Sequence, residues 1–464
     1  MTKVYIVSGG ADIANILNFE KDFEGTKIIK LEQNYRCTGN ILKVANEVIK
    51  NNETKYKKKL WTKNIEGNLP KVYVAKNEYD EASYITEQIK HLQFAEKYKY
   101  SDFAILYRMN TQSRVIEDVL RREAIAYKIV GGLRFYERKE IKDIISYLRL
   151  IQNTSDNISL ARIINEPKRG IGQTSLDKIT ELAIQNETSM YEIIKNADSY
   201  GLNRVFLNSR EFISFIEDGK IKQNEMPISK FIEYVLKKSG YVQALENENT
   251  IEAENRIENL EEFINVAIEF EKEEVENSLQ DFLEGMTLSS DVDNVDEQEE
   301  SVTLMTLHSA KGLEFPVVFL AGMEEGIFPS NRSIGEPSEI EEERRLCYVG
   351  ITRAKENLFL TCSKMRTTFG STSCNIPSRF LTEIPEELLD GYEENFENNK
   401  KEMKEDYKWT YKNEEKNVLY NNITSKHVAA HSIFEKKSPF GRTAESFLNN
   451  ITNKKNISNI DFSK

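Results

Sequence analysis

The feature that most constrains this chain is a change of pattern along its length. Up to about residue 152, short apolar runs rich in β-branched and aromatic residues alternate with helix-period segments. The runs are Lys71–Ala75 (KVYVA), Phe103–Tyr107 (FAILY) and Lys128–Val130 (KIV); the helical segments include Glu81–Leu92 and Val115–Glu123. Strand, helix, strand at this spacing predicts a parallel sheet with crossover helices, closed by an amphipathic helix over Glu140–Ile151. From Asn153 to Met286 the strands stop. Long helical patterns take over, such as Ile228–Lys238 and the acidic Ile251–Phe282. Continuous apolar strands then return at Ser301–Leu307, Pro316–Ala321 and Asn357–Cys362. The economical reading is one α/β domain interrupted by an all-helical insertion, with an acidic link marking the return.

Composition narrows the class further. At roughly 100–200 residues per domain, 464 residues leave room for two to four domains. The 63 Lys and Arg against 76 Asp and Glu leave a net charge of −13, which argues against indiscriminate coating of nucleic acid but not against a local basic channel. No run approaches the roughly 18 apolar residues of a membrane span, and the first residues do not read as a signal peptide. Cys37, Cys347, Cys362 and Cys374 lie far apart with no C-x-x-C spacing, which fits reduced thiols and a cytoplasmic location better than a disulfide frame or a metal site. After Leu389 the chain is dominated by Asn, Lys and Glu, so residues 389–464 read as a flexible tail. Its aromatic cluster Tyr407–Tyr411 and the segment His431–Phe440 are either docking elements for a partner or incidental.

Three segments combine charge with glycine or aromatic residues where buried strands end. The first, Thr306–Phe315 (TLHSAKGLEF), puts His, Lys and Glu into a glycine-containing turn between two strands. Ligands of open parallel sheets bind outside the carboxyl ends of strands, which makes this turn a candidate site. The second, Glu341–Lys355 (EEERRLCYVGITRAK), reads as a helix leading into a Gly-x-Thr-Arg-Ala turn. Arg353 there is either a phosphate-reaching guanidinium or part of a salt-bridged turn behind a solvated helix. The third, Asn34-Tyr35-Arg36, pairs an aromatic plane with a bidentate cation, a combination suited to a purine base and its phosphate. A further turn, Arg169–Thr174 (RGIGQT), precedes a helix and would offer backbone N–H groups and a positive helix end to a phosphate, or is simply a turn.

In order along the chain, GADIANILNFEKDF, LEQNYRCTGNIL, ILYRMNTQSRVIEDVL, YKIVGGLRFYERKEIKDIISYLRLI, PKRGIGQTSLDKI, VTLMTLHSAKGLEFPVVFLAGMEEGIFP and EEERRLCYVGITRAKENLFLTCS resemble the C-terminal part of superfamily 1 DNA helicases of the UvrD/PcrA/Rep type. The blocks span residues 10 to about 385, and SRFLTEIPEELL after the last is most similar to the UvrD/PcrA branch. The resemblance implies an α/β fold with a RecA-like parallel sheet, related to phosphate-loop NTPases. It divides the chain into a remnant of a first RecA-like domain (1–28), a second RecA-like domain (29–152 and 300–388), the helical insertion (153–286), the acidic link (287–299) and the tail. The implied activity is ATP-dependent 3′→5′ unwinding of duplex DNA in repair or replication, with ATP and Mg²⁺ held by the complete motor and single-stranded and duplex DNA as partners.

Residue by residue, the resemblance implies that Tyr35 stacks on adenine, Arg36 contacts the γ-phosphate and Glu314 holds the ribose. It makes Arg353 an arginine finger. Arg108, Asn110 and His308 match positions that grip single-stranded DNA, with Lys311 in the same motif. Gly170, Gly172 and Thr174 match a turn that holds duplex DNA. Repair or transcription proteins are further expected partners of the tail.

The chain departs from the family at its start. It contains no G-x-x-x-x-G-K-[ST] phosphate loop and no acidic strand-end motif for Mg²⁺, so by itself it is expected to be inactive as an ATPase. A non-enzymatic DNA-binding or regulatory fragment, or half of a composite ATPase completed by a separately encoded N-terminal half, are the alternatives. Lys3, Ser8 and Gly9 stand where the family has a phosphate-sensing Gln, a base-stacking aromatic and an Arg. The codons allowed by MTKVYIVSGG, read from the third base of the first codon, permit Asp-Gln-Ser-Ile-Tyr-Ser-Phe-Arg-Gly, the family motif. This reading expects a frameshift near Gly9–Ala11, real or a sequencing artefact, and fails if the upstream nucleotides do not encode a phosphate-loop domain in the shifted frame.

Overall fold

A computed structural model gives the fold; it describes residues 32–53, 60–273, 278–291, 300–368 and 371–391, together with Phe23. The expectations for residues 1–28 (Phe23 apart), for residues 292–299 of the link and for the tail from residue 392 lie outside the described residues. The described residues form two compact units. One comes from the chain up to Arg138 and again from the strands that follow the link; the other is Lys139–Leu288.

The first unit is α/β and RecA-like. A two-residue parallel ladder, β1 (Gln33–Asn34) with β2 (Trp61–Thr62), stands apart from a six-stranded sheet. The sheet contains β3 (Lys71–Ala75), β4 (Phe103–Tyr107), β5 (Tyr127–Val130), β6 (Val302–Thr306), β7 (Phe315–Leu320) and β8 (Ala354–Ser363). Every pairing is parallel, in the order β3-β8-β7-β4-β6-β5. The strands recruited from before and after the insertion are therefore interleaved, β4 lying between β6 and β7. Both faces are covered, which is why the strands read as continuous apolar runs rather than as alternating ones. In β4, Ala104 and Leu106 face one core while Phe103, Ile105 and Tyr107 face the other.

Helix α1 (Gly39–Ile49) lies on the Ala104 side; α2 (Glu78–Glu96) and α3 (Ser113–Arg122) cover the other. A separate two-stranded sheet of β9 (Met365–Thr368) and β10 (Ser371–Cys374) follows β8. Buried Arg366 ties it to Glu81 and Glu324. The paired chain continues to Asp390, which exchanges backbone hydrogen bonds with Pro70 and Val72, just past the expected end at 388.

The second unit is helical throughout its described residues: α4 (Lys139–Gln152), α5 (Asn157–Ile163), α6 (Gln173–Gln185), α7 (Met190–Lys195), α8 (Asn203–Lys222), α9 (Ile228–Lys238), α10 (Tyr241–Glu248), α11 (Ile251–Glu273) and α12 (Leu279–Asp291). It starts a helix earlier than the expected boundary at residue 153. The reason is polar as much as apolar: buried Asp143 of α4 accepts from Tyr241 Oη (2.8 Å), and Glu140 accepts from Asn259 (2.6 Å). Gly219 of α8 also brings its backbone against Ile151. The unit also passes the expected end at residue 286, reaching Leu288, although α12 itself runs on to Asp291. The single acidic pattern Ile251–Phe282 is two helices, with Phe282 of α12 packing edge-on against Phe263 and Phe270 of α11.

Helix α13 (Pro337–Ile351) completes the first unit on the α1 side of the sheet. It lies close to the strands because Gly350 has no side chain. A Cβ there would meet Leu307 Cδ2 at 2.5 Å and Leu320 Cδ2 at 2.8 Å.

Candidate functional site

The segment Thr306–Phe315 is not one site but a crossing between two. Leu307 still pairs with β4, its N–H donating to Tyr107 O (2.8 Å), and Leu307 and Ala310 are buried in the core below. Gly312, at φ +97°, occupies the left-handed region, and the chain enters β7 at Phe315. Because β6 and β7 both run parallel to β4, the segment leaves the sheet at its carboxyl edge and re-enters at its amino edge. His308 belongs to the first edge and Glu314 to the second. His308 therefore lies at the carboxyl edge, where the sequence reading put the whole turn, whereas Glu314 lies at the amino edge.

At the amino edge, Phe315 N donates to Arg353 O (3.0 Å), which sets Glu314 beside Arg353. The loop before α1 is docked on the same spot. Thr38 N donates to Lys355 O (2.9 Å), Cys37 Sγ approaches Thr352 O (3.7 Å) and Arg36 Nη1 donates to Thr352 O (3.1 Å). Arg36 Nε also bonds Glu314 at 2.6 Å, and Lys355 reaches the same carboxylate at 3.0 Å. These hydrogen bonds, Arg36 first, hold the Glu314 carboxyl below its usual range.

Arg353 is buried. It donates to Val349 O (2.9 Å), Leu313 O (3.0 Å) and Thr352 Oγ1 (3.3 Å). Burial first, and then the neighbouring Arg36 charge, lower its pKa to about 10, with Glu314 pulling the other way. Tyr35 stands 77% exposed, its hydroxyl donating to Gln33 (2.9 Å) and its ring face open. The structure therefore brings Tyr35, Arg36, Glu314 and Arg353 together. Two neighbouring guanidinia, one of them paired with a carboxylate, beside an exposed aromatic plane, fit an anionic ligand that carries a flat base. Among the described residues no group of three or more His, Cys, Asp or Glu side chains could hold a metal ion.

At the carboxyl edge, Arg108 follows β4 as Leu307 and His308 follow β6. Gln112 Oε1 accepts from the backbone N–H groups of Arg108 (3.0 Å) and Met109 (2.9 Å), which folds the 108–112 turn and leaves Asn110 exposed. Arg138 Nη2 holds that turn through Asn110 O (3.2 Å). The Arg108 guanidinium is gripped by Glu343 of α13, Nε at 3.0 Å from both oxygens and Nη2 at 2.7 Å from Oε1. His308 is half-buried, and its pKa is lowered by that burial and by the Arg108 charge, against the opposing pull of Glu343. Lys311 is exposed further along the crossing. Gln112, Arg138 and Glu343 carried no signal in the sequence.

The helix expected to be either solvated or functional is neither throughout. Arg344 bonds Glu383 and Asn52, and Arg345 pairs with Glu341 and Glu342. At about 1.5 Å per residue, Glu343 and Ile351 are roughly 12 Å apart along α13, so one helix touches both edges.

In the helical unit, Gly170 takes φ +71° and Gly172 caps α6, with Thr174 exposed in its first turn. Arg169, read as part of a phosphate turn, is instead the strut behind it. It donates to Ile163 O (3.0 Å), Ile164 O (3.2 Å), Pro167 O (3.3 Å) and Ser239 O (3.1 Å), and to Tyr147 Oη (2.8 Å).

Residues 29–365 match the UvrD-like helicase C-terminal domain. The ATP-dependent DNA helicase PcrA of Bacillus subtilis is 49% identical over 392 residues, covering 83% of this chain and 53% of that protein. The protein of the same name from Staphylococcus epidermidis strain RP62A is 50% identical over 390 residues, covering 82% and 53%. That from Staphylococcus aureus strain NCTC 8325 is 49% identical over 390 residues, again covering 82% and 53%. The chain spans about half the length of the curated relatives it matches.

Proposed function

Because the chain belongs to the UvrD-like helicase C-terminal domain family, we propose that it forms one wall of an ATP-dependent motor that unwinds DNA with 3′→5′ polarity, in repair or replication. Tyr35 presents its ring to the base, Glu314 turns from Arg36 towards the ribose, and Arg36 and Arg353 direct their guanidinia at the terminal phosphate. Arg353 is suited to the transition state: it is desolvated, held by three uncharged oxygens and beside a second guanidinium, so developing negative charge on the transferring group gains strongly from it. ATP with Mg²⁺ supplies the phosphoryl-transfer free energy; the phosphate loop and metal carboxylates come from another segment or chain. Arg108, Asn110, His308 and Lys311 bind the single strand at the opposite edge, and Gly170, Gly172 and Thr174 bind duplex phosphates.

The observation that carries this reading is the grouping of Arg36, paired with Glu314, and buried Arg353 beside it at one sheet edge while Arg108 and His308 stand at the other. A nucleotide site and a strand site on opposite edges of one sheet are what a nucleotide-driven translocating wall requires. The test is unwinding of 3′-tailed and 5′-tailed duplexes by this chain mixed with the N-terminal half of a PcrA relative. Opening of the 3′-tailed duplex alone supports the reading. Salt-sensitive DNA binding with no ATP-dependent opening identifies a non-enzymatic DNA-binding module instead.

A further inference from the structure

The proposed strand-gripping cation is not solvated but bound from behind. Arg108 uses Nε and Nη2 on Glu343 and has no hydrogen bond from Nη1 among the described residues. Glu343 is 6% exposed, so it is not a surface partner that water can replace. Its carbonyl-side neighbours on α13 are themselves fixed, Arg344 by Glu383 and Asn52. A buried carboxylate that surrendered its only bidentate cation to a phosphate would be left charged and unpaired, a larger loss than one surface phosphate contact returns. The arginine can instead keep Glu343 on one side of its fork and offer Nη1 on the other.

We propose that Glu343 is a positioning residue for strand binding. It fixes the Arg108 fork with Nη1 directed at a backbone phosphate and makes that cation part of helix α13, the helix whose far end carries Thr352 and Arg353. This rests on the reading of the carboxyl edge as a single-strand site. The occupant is a nucleic-acid phosphate, recognised by its charge and not by its base. The consequence is mechanical as well as electrostatic: a shift of α13 at the amino edge moves the Arg108 guanidinium with it, because the link is three hydrogen bonds to a buried group rather than a flexible side chain.

The test is a double-mutant cycle on the full chain, read as fluorescence anisotropy of a labelled oligo-dT across a salt series. Arg108→Ala is expected to weaken binding about tenfold and to reduce the slope of log K against log salt by about 0.7, one phosphate's share on a single strand. Glu343→Ala is expected to do the same despite removing a negative charge, and the double variant to lose little beyond either single one. Glu343→Gln, which keeps shape and one acceptor oxygen, should fall between and serves if Glu343→Ala does not fold. Tighter binding in Glu343→Gln would overturn the proposal, since the carboxylate would then be a competitor of the strand. So would additive losses in the cycle. If Arg108→Ala leaves affinity and salt slope unchanged, the carboxyl edge is not the strand site, and the underlying reading fails rather than the role of Glu343 within it.

Discussion

Glu117 shows how far a single residue can depart from what its letter suggests. It lies in the helix segment VIEDVL, yet it is 1% exposed, accepting from Tyr127 Oη and Phe135 N, both at 3.2 Å. Burial, only partly offset by the Arg138 charge, raises its pKa from 4.5 to about 7. The folded chain therefore keeps a proton that the unfolded chain releases between about pH 4.5 and 7, and stability declines as pH rises through that window, by on the order of 3 kcal/mol. Glu117→Gln is expected to flatten this decline in urea melts taken from pH 4.5 to 8; an unchanged slope would assign the pH dependence elsewhere. Arg353 makes a sharper functional prediction. In an ATPase reconstituted with a phosphate-loop half, Arg353→Ala should lower kcat about a thousandfold, and Arg353→Lys should not restore it, because an ammonium cannot span the Val349 and Leu313 carbonyls and still face a phosphate. Residues with local motif context, Tyr35, Arg36 and Arg353, were legible in the sequence. Glu343 was not, because its partner lies 235 residues away and a run of three glutamates reads as solvent-facing.

At the level of elements, the apolar runs located five of the six sheet strands to within one residue at each end and missed the first three residues of β8, but did not give the strands' neighbours. A β4 flanked by β6 and β7 depends on a chain reversal through a whole helical unit, which no local pattern encodes. The insertion boundary was misplaced for a related reason: α4 is amphipathic whichever unit it joins, and the buried partners of Asp143 and Glu140 decide the matter. Gly350 tests the seating of α13. Helix propensity alone predicts that Gly350→Ala gains about 1 kcal/mol, but its Cβ would strike buried Leu307 and Leu320, so a net loss of about 1–2 kcal/mol is expected in thermal melts. Arg169 tests the turn of the helical unit. With its four backbone acceptors and Tyr147, Arg169→Ala should cost on the order of 3 kcal/mol, seen as earlier unfolding of the helical unit by hydrogen exchange.

Across the whole molecule, the net charge of −13 pointed away from nucleic acid, yet the proposed contacts are local clusters of cations that a sum cannot report. We propose that this chain supplies the guanidinia and the strand-gripping edge of a nucleotide-driven motor; its sequence contains no G-x-x-x-x-G-K-[ST] phosphate loop. The most direct measurement is ATP hydrolysis with and without oligo-dT, by this chain alone and after mixing with the N-terminal half of a PcrA relative. DNA-stimulated turnover is expected only in the mixture, and only while Arg36 and Arg353 are intact. Turnover by the chain alone, or turnover in the mixture that survives loss of both arginines, would contradict it.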